Sequence, residues 1–158
     1  MDKKYKIVIV GGRLQGMQAV YLAHKAGYHS ILIDRDPSAP ASGLCDTFYC
    51  CDLCSLDEQL LKILLDANMI LPAMENDKTL AFLEQLGKEY PLKIAFDFSA
   101  YSITSSKQRS DKLFYDHCIP APAYYPHCRP PYIVKPSADS GSSGVQSLMT
   151  KEAVEHFL

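Results

Sequence analysis

One lysine in this sequence stands where an apolar strand meets a loop of small residues. Residues 132–134 are Tyr-Ile-Val, Lys135 and Pro136 follow, and residues 137–144 are rich in serine and glycine. Glycine permits backbone conformations that turn several N–H groups toward one anion, and an ammonium group supplies the opposite charge. This pattern indicates a phosphate-binding site, although a serine- and glycine-rich run is also typical of a flexible surface turn.

The order of these residues differs from that of a Walker loop. A Walker loop places its lysine after the glycines, at the start of a helix. Here Lys135 comes first, and Pro136 ends the strand because it has no N–H to donate. We therefore predict that Lys135 projects from a strand end under a phosphate loop. The predicted loop residues are Ser140, Gly141, Ser142, Ser143 and Gly144.

The N-terminal third has the pattern of a Rossmann-like βαβ unit. An apolar run over residues 5–10 predicts a strand, and apolar periodicity to about residue 26 predicts a helix. Gly27 ends that helix, and the run 30–33 predicts a second strand that leads to Asp34. An acid at this position often binds the ribose of a dinucleotide, but Asp34 is equally suited to capping the loop that follows.

The turn between this strand and helix holds Gly11, Gly12, Arg13 and Leu14. The dinucleotide fingerprint requires a glycine where this chain has Arg13, so the match to an NAD(P) site is incomplete. The glycines predict a tight turn, and the helix N-terminus beyond it can receive a carboxylate or phosphate. A turn that only starts the helix is the alternative interpretation.

Further strands and helices extend the α/β pattern. Strands are predicted over residues 48–51, 69–72 and 92–97, and helices from residue 56, with Ser55 as the cap, and over residues 79–86. Ligands of parallel sheets bind beyond the carboxyl ends of the strands, which places Glu75 and Asn76 at a functional edge. A helix cap at Asn76 or Asp77 is the alternative.

The pattern changes after residue 98, where we place a domain boundary. Residues 99–106 predict a polar crossing, residues 107–117 a helix, and the prolines that follow a connector. Residues 132–134 and 145–149 predict the arms of a hairpin, and a last helix begins at residue 151. The predicted fold class is α/β: a Rossmann-like parallel sheet over residues 1–98, then an α+β part over residues 99–158.

These segments together resemble the ATP-grasp ligases. The resemblance rests on a helix that begins at Lys107, the Cys-Ile-Pro-Ala-Pro run after it, and the Tyr-Ile-Val-Lys-Pro strand with its loop. The first part is similar to the pre-ATP-grasp domain, so the resemblance covers essentially the entire chain. Four segments are most similar to the amino-acid ligases of pyrrolysine biosynthesis: Gly-Gly-Arg-Leu-Gln-Gly-Met-Gln-Ala, Leu-Pro-Ala-Met-Glu-Asn, Phe-Asp-Phe-Ser-Ala-Tyr and Tyr-Ile-Val-Lys-Pro.

The resemblance implies a site for ATP and Mg²⁺. Lys107 and Lys135 would contact the phosphates, residues 140–144 would close over them, and residues 11–14 and Glu75 would line an amino-acid site. The implied reaction converts a substrate carboxylate to an acyl phosphate, which an amine attacks. It would join 3-methyl-D-ornithine to the side-chain amine of L-lysine. No catalytic residue and no metal ligand is assigned within this chain.

ATP-grasp enzymes continue into a second lobe that carries the magnesium ligands, and this sequence stops before it. The sequence therefore corresponds to a truncated grasp domain, and we expect the chain alone to be inactive. It would need the missing lobe or a second polypeptide, and exposed apolar surface favours a homodimer. The alternatives are an NAD(P)-binding oxidoreductase domain and a non-catalytic module that binds a nucleotide or a partner.

Composition excludes several other classes. A net charge of −2 gives no general attraction for nucleic acid or an anionic membrane. No apolar run approaches the roughly 20 residues of a membrane span, and there is no room for a signal peptide before the first strand, so we expect a cytoplasmic protein. Reduced thiols follow from that location. Cys51 and Cys54 have zinc-knuckle spacing without a second pair, so free, partly buried thiols are the favoured interpretation.

Overall fold

The computed structural model describes residues 5–137 and 144–157. The chain forms two compact units, Met1–Phe96 and Asp97–Leu158. None of the helices in the described ranges combines the length and the apolar content that a bilayer crossing requires. The predicted fold class is confirmed, because a parallel sheet with helices is followed by a smaller α+β unit.

A parallel sheet forms the centre of the first unit. Its four strands are β1 Lys6–Val10, β2 His29–Asp34, β3 Thr47–Cys50 and β4 Met69–Pro72, in the spatial order β3-β2-β1-β4. The register pairs Val8 of β1 with Ile31 on one side and Ile70 on the other. Val8 on the inner strand β1 and Ile70 on the last strand β4 are both fully buried.

Three helices belong to this unit: α1 Leu14–Lys25, α2 Glu58–Asp66 and α3 Asp77–Glu89, with a 3₁₀ turn at Pro40–Gly43. Helix α1 turns small residues toward the sheet, among them Gly16, Ala19 and Ala23. A Cβ on Gly16 would lie 2.1 Å from the carbonyl oxygen of Gly11, so only glycine allows this helix to approach the end of β1 so closely. Larger side chains fill the face of α3, where Leu83 is fully buried.

The second unit is built from short elements. They are α4 Phe98–Thr104, α5 Lys107–Asp116, β5 Tyr132–Val134, β6 Gln146–Leu148 and α6 Lys151–Phe157. Strands β5 and β6 pair antiparallel, as the hairpin prediction required. Tyr125 packs edge-on against Tyr132 and donates its hydroxyl to Glu155 of α6. Among the described residues of this unit, Val154 is the buried apolar side chain.

Several predicted boundaries are wrong. Residues 99–106 were expected as a polar crossing, but Phe98–Thr104 form a helix because the carboxylate of Asp97 caps it. The strand predicted over residues 92–97 is reduced to one parallel bridge between Ile94 and Ile70. Helix α2 is capped by Asp57 rather than Ser55, since the Asp57 carboxylate accepts the N–H of Leu60 at 2.7 Å.

Candidate functional site

The parallel strands of the first unit end at one edge of the sheet, and the predicted amino-acid site lies along that edge. Gly11 follows β1, Asp34 ends β2, and Glu75 comes shortly after β4. Gly11 has φ +100°, and a Cβ placed on it would lie 2.8 Å from Cβ of Met74. The structure therefore brings the glycine turn against the segment that contains Glu75.

The amide groups of the two glycines are already engaged. The N–H of Gly11 donates to the carbonyl oxygen of Ile33 at 2.9 Å, and the N–H of Gly12 donates to Oδ2 of Asp34 at 2.6 Å. The carbonyl oxygen of Gly12 accepts the N–H of Ala41 at 2.9 Å. These two residues therefore shape the edge through internal hydrogen bonds.

Asp34 is the centre of this arrangement. Its second oxygen, Oδ1, accepts the N–H of Asp36 at 2.8 Å, so both carboxylate oxygens bind backbone donors of the protein. The interpretation of Asp34 as the cap of the following loop is confirmed. The sequence contained part of this signal, because an Asp side chain at the end of a strand often accepts the backbone N–H two residues further on, as in an Asx turn.

Arg13 offers the positive charge on the same edge. It precedes α1 in an extended conformation, its side chain makes no capping hydrogen bond, and it is exposed. The pKa of Asp36 is held below its ordinary value by hydrogen bonds from the Ser38 hydroxyl and N–H, and Arg13 lowers it further through its charge. The first N–H groups of a helix have no partner within the helix. Such a helix start beside a guanidinium group favours a carboxylate ligand.

Glu75 is an exposed carboxylate directly before helix α3. The neighbouring Asn76 caps that helix, because its Oδ1 accepts the N–H of Thr79 at 2.9 Å and the Thr79 hydroxyl at 3.0 Å. The helix-cap interpretation of Asn76 is therefore confirmed. Asn76 is committed to α3, and Glu75 is the acid beside it that faces solvent.

The predicted phosphate site lies in the second unit. Lys107 is the first residue of α5, and its backbone N–H donates to the carbonyl oxygen of Ser137 at 3.0 Å. Ser137 comes two residues after Lys135, which leaves β5 with an exposed side chain. A backbone hydrogen bond thus joins the start of α5, which holds Lys107, to the segment that follows Lys135.

The predicted loop itself is only partly described. Ser140, Gly141, Ser142 and Ser143 lie outside the described residues. Gly144 has φ +67°, and a Cβ on it would approach Cγ of Pro136 to 2.9 Å. Gly144 therefore lies against Pro136, just after β5, and its positive φ favours glycine.

One face of the hairpin is apolar and open to solvent. Ile133 is 58% exposed, Met149 is 67% exposed and Val145 is 43% exposed. Ile133 pairs with Ser147, and side chains alternate along a strand, so Val145 and Met149 share the face of Ile133. Lys135 directly follows β5, and its side chain is exposed.

Four of the six cysteines, Cys45, Cys50, Cys51 and Cys54, lie in or near β3 of the first unit. Burial raises the pKa of the Cys45 and Cys51 thiols, and nearby acids raise that of Cys51 further, Asp57 first among them. Within the described ranges, no three His, Cys, Asp or Glu side chains are placed to hold a metal ion. A shallow pocket of about 140 Å³ lies here, away from the predicted site residues; it is lined by Tyr49, Cys50, Cys51, Ser55, Asp57, Gln59, Leu60 and Ile63.

The chain is similar to known proteins over more than nine-tenths of its length. The model of the PylC-like N-terminal domain matches residues 7–94. The 3-methyl-D-ornithine–L-lysine ligase of Methanosarcina acetivorans is 38% identical over 146 residues, which cover 92% of this chain and 40% of that protein. The ligase of the same name from Methanosarcina barkeri is 36% identical over 149 residues, covering 94% of this chain and 41% of its own length.

The fold recurs in a crystal structure of N5-carboxyaminoimidazole ribonucleotide synthetase from Thermotoga maritima. The TM-score is 0.72 at 21% identity, over 96% of this chain and 43% of the synthetase. At that identity the likeness concerns the fold. The chain spans about 40% of the length of the curated relatives it matches.

Proposed function

The chain belongs to the family of PylC-like N-terminal domains, and we propose that it forms the amino-acid-binding part and the first part of the ATP site of a carboxylate–amine ligase. The substrates proposed are 3-methyl-D-ornithine and L-lysine, which the names of its relatives contain. The relatives extend well beyond the portion that this chain covers. Turnover is therefore proposed to need residues from that further portion, and the chain by itself is expected to form no amide.

The observation that carries this proposal is the hydrogen bond from the Lys107 N–H to the Ser137 carbonyl oxygen. It fixes the start of α5 beside the chain that leaves Lys135. Two ammonium groups supported in this way can offset the charge of a triphosphate. Two unrelated surface lysines would not require a hydrogen bond between the first residue of α5 and the segment that follows β5.

The described residues fit a nucleotide. Lys107 and Lys135 would hold the phosphates, residues 140–144 would cover them, and the exposed hairpin face with Ile133 and Met149 would lie against the base. When bound, ATP supplies the phosphoryl group that activates a substrate carboxylate. The lysines would position the phosphates and compensate their charge in a cleft from which water is excluded.

Magnesium would accompany ATP in such a reaction, because it compensates charge on the transferred group. No acidic cluster within the described ranges is arranged for it. The magnesium ligands are therefore proposed to belong to the portion of the relatives beyond this chain.

The amino-acid site is proposed at the sheet edge of the first unit. The Arg13 guanidinium and the start of α1 near Leu14 would receive a carboxylate, and the exposed Glu75 would bind an ammonium group. Gly11 and Gly12 would shape this site, since their N–H groups are engaged within the protein. Amino acids carry both charges, so a cation and an anion on one edge match them.

Two observations disfavour an oxidoreductase. Both oxygens of Asp34 already bind backbone N–H groups, so fewer of its acceptor positions are left for a ribose. A Cβ on Gly12 would lie 2.8 Å from Cβ of Ala39, so the protein fills the approach to that glycine. In a dinucleotide site, a glycine of this turn admits the pyrophosphate instead.

Calorimetry with ATP tests the proposal directly. The chain is expected to bind ATP, and Lys135→Ala is expected to weaken binding by roughly tenfold or more, since a hydrogen bond to a charged group contributes about 1.5–3 kcal/mol. Lys112→Ala is the matched control, because the Lys112 ammonium already pairs with Asp116 on the surface of α5. Binding of NAD without ATP would contradict the proposal.

Incubation with both amino acids, ATP and Mg²⁺ tests the second part. No amide is expected from the purified chain, and amide is expected once the remaining portion of a related ligase is supplied. Product from the chain alone would show that it needs no further residues. Binding of ATP without either amino acid would instead favour a nucleotide-binding module.

A further inference from the structure

We propose that Asp34 is a positioning residue for the substrate loop, defined as residues 11–14. Its carboxylate holds this loop in the conformation that receives the amino acid. The inference rests on the proposed function of the sheet edge in the first unit. In this proposal, Asp34 orders the substrate loop and does not bind a ribose.

The first support is the geometry of the carboxylate. Oδ2 accepts the Gly12 N–H at 2.6 Å and Oδ1 accepts the Asp36 N–H at 2.8 Å. Hydrogen bonds to an ionised oxygen are shorter and stronger than bonds between neutral groups. Asp34 thus joins the turn after β1 to the loop after β2 through one rigid, half-buried group.

The second support comes from the other side of Gly12. Its carbonyl oxygen accepts the N–H of Ala41, which is fully buried. The space beside its Cα is taken by Ala39, which is 2% exposed. The peptide groups on both sides of Gly12 are therefore fixed, one by Asp34 at the end of β2 and the other by Ala41 in the loop after it, although glycine is the residue with the most backbone freedom.

The consequence reaches Arg13, the next residue. The Arg13 carbonyl oxygen accepts the N–H of Met17 at 2.9 Å, so the backbone of Arg13 connects the first turn of α1 to the peptide that Gly12 supplies. Release of Gly12 from Asp34 would let the Arg13 guanidinium and the first turn of α1 drift from the substrate. Because misplacement by about 1 Å can cost a large factor in binding or rate, this anchor should control amino-acid affinity.

The test compares Asp34→Asn with Asp52→Asn in the purified chain. Asp52 is a suitable control because its Oδ1 also accepts a loop N–H, from Cys54 at 2.9 Å, just after β3. An amide that donates to a carboxylate at short distance resonates downfield, so the Gly12 proton is expected downfield in the wild type and in Asp52→Asn. In Asp34→Asn it is expected to move upfield.

Calorimetry on the same three proteins uses 3-methyl-D-ornithine, L-lysine and ATP as probes. Asp34→Asn is expected to lose about tenfold in amino-acid affinity with its ATP affinity unchanged, and Asp52→Asn is expected to match the wild type. A purely structural defect would lower the melting temperature and both affinities together, and that result would overturn the proposal.

Two other outcomes are decisive. An unchanged Gly12 resonance or unchanged amino-acid affinity in Asp34→Asn would also overturn the positioning role. Failure of the wild-type chain to bind either amino acid would overturn the proposed amino-acid site. The Gly12 resonance would still report whether Asp34 anchors the turn, so the two failures are distinguishable.

Discussion

The backbone of Lys107 is hydrogen-bonded to the backbone of Ser137, with 3.0 Å between the nitrogen and the carbonyl oxygen. Thirty positions separate them in sequence, and the bond connects the first residue of a helix to the exit of a strand. The first N–H groups of a helix have no partner inside the helix. Here one of them stabilises the approach to the predicted phosphate loop.

This bond can be removed separately from the Lys107 side chain. Proline is tolerated at the first position of a helix, and Ser106 before it has the extended ψ of 119° that proline requires. Lys107→Ala keeps the N–H, whereas Lys107→Pro removes it. We expect Lys107→Pro to bind ATP about two- to tenfold more weakly than Lys107→Ala in calorimetry, from a net hydrogen bond of about 0.5–1.5 kcal/mol. Equal affinities would show that the bond does not support the site.

Gly16→Ala tests the close contact between α1 and β1. Alanine normally stabilises a helix relative to glycine by up to ~1 kcal/mol. At Gly16 the added Cβ would meet the Gly11 carbonyl oxygen at 2.1 Å, so we expect a loss of at least about 2 kcal/mol, measured by urea unfolding. Gly43→Ala meets nothing within 4 Å and should stay within about 0.5 kcal/mol of the wild type. A stable Gly16→Ala protein would contradict the packing.

The cap of helix α2, which is Asp57 and not Ser55, is tested by a second pair of variants. Asp57→Ala removes the oxygen that accepts the Leu60 N–H and should cost about 0.5–2 kcal/mol of unfolding free energy. Ser55→Ala, at the position first predicted as the cap, should change stability by less than about 0.5 kcal/mol. The reverse order of effects would restore Ser55 as the cap.

The lowered pKa of Asp46 predicts how the stability of the first unit changes at acid pH. The Ser30 N–H, then the Ser30 hydroxyl and His24, hold the pKa of Asp46 below its ordinary value of 3.8. A carboxyl whose pKa is lower in the folded state stabilises the fold above the unfolded value, and this contribution disappears as the pH falls through the folded value. The melting temperature of the wild type should therefore fall more steeply below about pH 4 than that of Asp46→Asn.

The control for this titration is Asp66→Asn, which changes an exposed carboxylate at the end of α2. Its melting temperature is expected to stay close to that of the wild type. If Asp46→Asn were as acid-sensitive as the wild type, the network of Asp46, Ser30 and His24 would not contribute to the pH dependence.

The parts of the fold that sequence predicts well are those with one dominant signal. Residues 69–72 are a continuous apolar run that ends in proline, and β4 has these bounds. Helix α5 was predicted from Lys107 and begins there, since Ser106 is a good cap. Where two signals compete, sequence alone fails. Ser55 and Asp57 are both capping residues, and the choice depends on which one the folded chain brings to Leu60.

The remaining differences between the predicted and the observed structure depend on contacts within the folded chain, some local and some tertiary. Helix α4 has no buried residue and no apolar periodicity, so its sequence resembles a polar crossing, and the Asp97 cap stabilises it. At the sheet edge, sequence places Asp34 beside the glycine turn but leaves its role open. The hydrogen bonds from Gly12 and Asp36 decide it, and they depend on how the loop after β2 folds back to Ala41.

The buried apolar side chains belong almost entirely to the first unit, with Val154 the one in the described part of the second. Local opening is least costly where few apolar contacts hold the backbone. Deuterium should therefore enter the amides of α4 and α5 early, while those of β1 stay protected until the first unit opens as a whole. The part of the molecule proposed to meet the nucleotide is thus the part whose backbone a ligand can order most.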